Sequence, residues 1–133
     1  MEIFCSPYQE IESYLKNLFP EDVISTPLDD IFGPYVHIYT KKPGFFFQIS
    51  ITKDGFAIRA FSSHIALSEK KAKKFNRDSS KIQWISDYNR PECIVKCSCG
   101  WDLKTLGEII LEIKQDIRRK FWFAYLVSKI KHR

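Results

Sequence analysis

Residues 35–62, YVHIYTKKPGFFFQISITKDGFAIRAFS, decide the fold. Val36, Ile38 and Thr40 alternate with Tyr35, His37 and Tyr39. Lys42-Pro43-Gly44 reads as a turn, after which Phe45, Phe47, Ile49 and Ile51 alternate with Phe46, Gln48, Ser50 and Thr52. A period of two is that of a strand with one face buried. Asp54-Gly55 predicts a hairpin with a two-residue turn, since such turns demand positive φ that glycine adopts without strain. A turn centred there sets Ile51 opposite Ile58, Ile49 opposite Ala60, Ser50 opposite Arg59 and Gln48 opposite Phe61. Either sensible length for the earlier turn places even residues of the first strand beside odd residues of the second. The three strands therefore agree on their faces without a slip of register. One face is aliphatic and phenylalanine-rich and belongs to the core. The other presents Tyr35, His37, Tyr39, Phe46, Gln48, Ser50, Arg59 and Phe61.

A sheet with one greasy face needs helices to cover it, and both ends of the chain offer one. Toward the C-terminus Asp102 can cap a helix in which Leu103, Leu106, Ile110, Ile113, Ile117, Phe121 and Ala124 keep a three-four spacing. Acids lie early in it and bases late, which suits the helix dipole. Unbroken to residue 133 it would run roughly 45 Å, against a radius of gyration near 14 Å for a domain of this length. It therefore overhangs the body or breaks near Lys120. Toward the N-terminus, Ser6 can cap, Pro7 suits the first helical position and Gln9 completes a capping box. Tyr8, Ile11, Leu15 and Leu18 form the stripe, and Pro20 closes the helix. Residues 20–34 show no period and read as a binding loop or a packed connection with a short turn of helix. Residues 68–75 read as a short helix, 81–86 as a strand, 87–91 as a turn and 92–99 as a strand. The expectation is one α+β domain over residues 1–133. Its order is α-β-β-β-α-β-β-α, with an antiparallel sheet of about five strands and the two terminal helices on one face.

The 133 residues are 44% hydrophobic and 28% charged, which fits a globular domain with a substantial core. No apolar run reaches membrane-spanning length and the opening residues lack the basic flank of a secretory signal, so a cytoplasmic address without membrane attachment is expected. The net charge of +5 is unevenly spread. Residues 1–32 hold seven acids against Lys16, a net of −6, whereas the remainder holds twenty bases and nine acids, a net of +11. Docking of the acidic segment on the basic remainder explains this more simply than a cover over a basic ligand site.

Chemistry-bearing residues are few. Cys93, Cys97 and Cys99 share one parity, so their thiols are expected to point the same way, with Cys5, His37 or His64 a conceivable fourth zinc ligand. Paired CxxC knuckles are absent, and small buried thiols explain the set better. No metal or cofactor is expected. Ser62-Ser63-His64 has no third orienting group. Glu112-Ile113-Lys114 mimics a nuclease triplet but falls within the long helix, where a solvated face accounts for it. Glycine-rich phosphate loops and nucleophile elbows are missing, so catalysis is the least supported class. Lys70, Lys71, Lys73, Lys74 and Arg77 form a basic patch that, beside an aromatic sheet face, could serve single-stranded nucleic acid.

Protein binding is favoured. Tyrosine, phenylalanine and arginine on the polar-aromatic face are the residue types that dominate interface cores. The competing reading has that face covered by the 20–34 loop or the middle helix. Residues 121–127, FWFAYLV, are apolar almost all round a helix and make a homodimer contact through the C-terminal helix a second candidate. In its element order the chain resembles the small α/β chaperones of type III secretion and the compact immunity proteins that bacteria pair with secreted toxins. That resemblance implies a non-catalytic chain that binds another protein, a toxin or a secreted substrate. Those families are more often acidic. The basic balance here fits an acidic partner, or a locally acidic docking surface, better than a basic nuclease toxin.

Overall fold

The alternation of residues 36–62 becomes three adjacent antiparallel strands in the computed structural model, which describes residues 7–26, 35–40, 45–62, 67–78 and 82–120. The elements are α1 (Pro7–Leu18), β1 (Val23–Ser25), β2 (Val36–Thr40), β3 (Phe45–Thr52), β4 (Gly55–Ser62), α2 (Glu69–Asp78), β5 (Gln83–Trp84), β6 (Cys93–Cys99) and α3 (Leu103–Lys120). They build an α+β fold around one six-stranded antiparallel sheet of order β1-β2-β3-β4-β6-β5. The strand beyond the expected five is β1, inside the stretch that shows no period. Its three residues are too few for periodicity to register. Ile24 is nonetheless buried between exposed Val23 and Ser25, which is the alternation of a strand.

The faces of the sheet follow the sequence, whereas the hairpin register does not. Ile51 pairs with Phe56, Ile49 with Ile58, Ser50 with Ala57 and Gln48 with Arg59, a shift of two residues from the expected pairing. Lys53 and Asp54 form the turn, and Gly55 is already paired with Thr52. Among the described residues no side-chain-bearing residue has positive φ, so the turn is not the type that needs it at both central positions. Gly55 takes the unusual φ of 140° instead. A Cβ there would lie 2.1 Å from the carbonyl oxygen of Cys99, so glycine is required by the neighbouring strand as well as by φ. The Thr52 hydroxyl closes the turn by donating to Gly55 O (2.9 Å) and accepting from Asp54 N (3.3 Å). Because the shift is an even number, every side chain keeps its face.

The core lies between the sheet and the helices. Val36, Ile38, Phe47, Ile49, Ile58 and Ala60 are fully buried from the sheet. Ile11 and Leu15 of α1 and Leu106, Ile110, Ile113 and Ile117 of α3 meet them in one cluster. Each of these side chains larger than alanine contributes about 1.5–3 kcal/mol relative to exposure. Leu18, expected on the buried stripe, is 44% exposed, and Phe19 at 4% takes the core position one residue later. α1 approaches α3 closely at Gly107, where a Cβ would lie 2.6 Å from Leu18 Cδ2 and 3.3 Å from Tyr14 Cε1. Asp102 caps α3 as expected, its Oδ2 accepting from Thr105 N and Oγ1.

Lys114 departs from the expected solvated helix face. It is 7% exposed, and its Nζ lies 2.5 Å from Asp22 Oδ2, 3.8 Å from Glu21 Oε1 and 4.0 Å from the centre of the Phe19 ring. Helical geometry puts it beside Ile110 and Ile117, so its ammonium is carried inward and held by two carboxylates. This is local docking of the acidic N-terminal segment on the basic remainder.

α2 is capped by Ser68, whose Oγ accepts from Lys71 N (3.2 Å), and it extends three residues past the expected end at Phe75. Ala72 is buried and Phe75 meets Trp84 edge-on at 5.3 Å between ring centres. The Asn76 side chain grips the Trp84 backbone, donating to its carbonyl (2.8 Å) and accepting from its N–H (2.6 Å). A strand edge that would otherwise invite another chain is thereby satisfied within the fold. β5 is shorter than the expected 81–86, although Ile85 N still donates to Ile94 O, and the turn that follows is held by Asp87 Oδ1 accepting from Asn89 N and Arg90 N. Cys5, Ser6, His64, the 27–34 loop, the Lys42-Pro43-Gly44 turn and residues 121–133, with the homodimer contact expected there, lie outside the described residues.

Candidate binding face of the sheet

All three described helices bury their apolar residues against one side of the sheet, leaving the polar-aromatic side as the second face. Strand pairing arranges that face in rows. Val23, Tyr39, Phe46, Phe61 and Cys93 follow one another from β1 to β6 in a single cross-strand row. Two residues further along, Ser25, His37, Gln48, Arg59, Lys96 and Gln83 form a second. Neighbours in a row are ~4.8 Å apart and the rows ~7 Å apart. An apolar stripe thus runs beside a polar one, both crossing the strands.

Within the apolar row Phe46 and Phe61 stack, with ring centres 5.0 Å apart and planes 13° apart. His37 meets Phe46 edge-on at 4.8 Å and Tyr35 at 6.3 Å. Phe61 was expected as a contact residue, but it is 6% exposed and acts instead as the floor on which Phe46 rests. Tyr39 at 40% and Val23 at 54% are the open members of the row. Gln48, Ser50, Arg59, Arg90 and Glu92 line a groove of about 680 Å³ beside Phe46. Burial lowers the His37 pKa, so at neutral pH it is an uncharged polar ring.

The expected clustering of three thiols does not form. The pairing of β4 with β6 shifts between Ala60 and Phe61, where Val95 faces Ala60 but Cys93 faces Phe61. This bulge adds one residue and turns Cys93, itself buried, onto the polar-aromatic face, among Arg59, Asp87, Arg90 and Lys96. Cys97 remains on the core side, near Cys99 and Glu112. Burial raises all three thiols, leaving them protonated at neutral pH. Among the described residues no group of three or more histidine, cysteine or acidic side chains could hold a metal ion, and no helix is long and apolar enough to cross a membrane.

The basic patch is separate. Lys70, Lys71, Lys73, Lys74 and Arg77 are exposed on α2, where Lys73 is within 3.4 Å of Glu69. The hollow lined by Lys70, Lys73, Asn76 and Arg77 shares no residue with the sheet groove. Sequence reading missed Val23, Arg90, Glu92 and Lys96 at the sheet face. Val23 sits in a strand too short to recognise, Arg90 in the expected turn, and Glu92 just ahead of a strand that begins one residue later than expected. The parity of Lys96 on the 92–99 strand could have placed it. Comparison with known protein families, characterised proteins and solved structures gives no match.

Proposed function

We propose that the protein is a non-catalytic binder of another protein and that the second face of its sheet is the contact surface. The apolar row of Val23, Tyr39 and Phe46 beside the polar row of His37, Gln48 and Arg59, on the side away from the packed helices, is the observation that carries this reading. Such a pairing of aromatic anchors with hydrogen-bonding neighbours is what interface centres use. Neutralising a partner toxin is the specific role proposed, with chaperoning of a secreted substrate the related alternative. A single-stranded nucleic acid reading is less favoured, because Phe61 is buried and covers one face of Phe46, and the basic hollow on α2 shares no residue with the sheet groove.

The test is co-expression of the chain with the product of the adjacent reading frame. Restored growth that is lost with Tyr39→Ala, and kept with Lys70, Lys71, Lys73 and Lys74 changed to Glu, supports toxin neutralisation through the sheet. A loss confined to the lysine variant removes the sheet face from the account. Tight oligonucleotide binding that collapses with added salt replaces it with the nucleic acid reading.

A further inference from the structure

The polar row is not uniform. Its β1–β3 half holds Ser25, the neutral His37 and Gln48, whereas its far half holds Arg59 and Lys96 directly opposite each other on β4 and β6. Arg90 joins Arg59 and Lys96 around a neighbouring hollow of about 350 Å³. Like charges set opposite one another across a strand pair destabilise it, so this placement works against the fold. Among the described residues Arg59, Arg90 and Lys96 make no ion pair. Asp87 lines the same hollow and Glu92 the adjoining groove, yet neither comes within ion-pair distance of a cation there. Asp87 spends an oxygen on the backbone of its own turn, and Glu92 sits on the groove wall.

Resting on the protein-binding reading above, we infer that the sheet face takes an acidic, amphipathic segment of the partner. An aromatic or aliphatic side chain of that segment covers Tyr39 and Phe46, and its carboxylates bind Arg59, Lys96 and Arg90. Guanidinium and carboxylate match as a two-point hydrogen-bonded pair, and partial burial of Arg59 strengthens it. From Tyr39 on β2 to Lys96 on β6 the face spans three strand spacings, ~14 Å, or about four residues of extended chain. The segment therefore carries its acids within a few residues of its apolar anchor.

The experiment is selection of a random short-peptide display library on the immobilised full-length chain, followed by affinities of the selected peptides for Arg59→Gln, Lys96→Gln and Tyr39→Ala. Selected peptides are expected to pair Asp or Glu with an aromatic or aliphatic residue and to lose at least about tenfold in affinity with each variant. Thermal midpoints of the Arg59→Gln and Lys96→Gln proteins, expected unchanged or raised, separate lost binding from lost folding. Neutral or basic peptides that need Tyr39 but neither cation overturn this inference and leave the protein-binding face standing. Peptides indifferent to all three variants, or no enrichment, overturn both. Binding of oligothymidylate that depends on Arg59 and Lys96 assigns the cations to phosphate and overturns the inference as well.

Discussion

Lys114 shows how one side chain's position follows from the helix it sits on. Its ammonium is buried with Asp22, whose side chain is 3% exposed, and removing one partner leaves a charge with poor compensation. Asp22→Ala and Lys114→Met are each expected to destabilise the protein by about 3 kcal/mol, whereas the double change Asp22→Leu with Lys114→Met should stay within about 1 kcal/mol of the parent in urea unfolding. A double change that loses as much as the two single changes added together would count against a pair that matters mainly through its desolvation. His37 gives a pH dependence of definite sign. Its folded pKa is lowered from 6.5, so below that pH the unfolded chain takes up the proton first and stability falls as pH drops toward the folded value. His37→Gln should flatten the decline in urea midpoint between neutral and mildly acidic buffer. An undiminished decline would place the acid sensitivity elsewhere.

The elements show what sequence periodicity can and cannot carry. Alternation in 36–62 gave the two faces, because parity survives any even shift of register. It could not give the register itself. Asp54-Gly55 marks the turn, but whether glycine lies inside the turn or opens the next strand depends on the Cys99 carbonyl packed against it. The bulge at Ile94 was equally hidden, since Cys93 and Cys97 share a parity that only pairing with β4 breaks. β1 is legible only once β2 is beside it. Asn76 reads in sequence as one more polar residue of a basic helix, yet it acts as a strand partner for Trp84. Asn76→Ala should cost about 2 kcal/mol by leaving two backbone groups poorly satisfied. Hydrogen exchange at the Trp84 amide should accelerate with it. An unchanged amide would mean that water replaces the asparagine at no loss.

At the scale of the whole molecule, charge is arranged in parts with different roles. Glu21 and Asp22 of the acidic N-terminal segment are spent on Lys114 within the fold. Arg59 and Lys96 are left facing each other on the sheet, and the exposed lysines of α2 form a separate patch. Removing one member of the opposed pair, as in Lys96→Gln, should raise stability by about 0.5 kcal/mol. A gain in stability together with a loss of binding is the mark of a residue kept for its partner. The most direct measurement is amide chemical-shift mapping of the full-length chain with a peptide selected on it. Perturbations are expected at Tyr39, Phe46, Arg59 and Lys96, crossing the strands along the two rows. Shifts confined to α2, or to the helices packed on the opposite side, would contradict a binding face on the sheet.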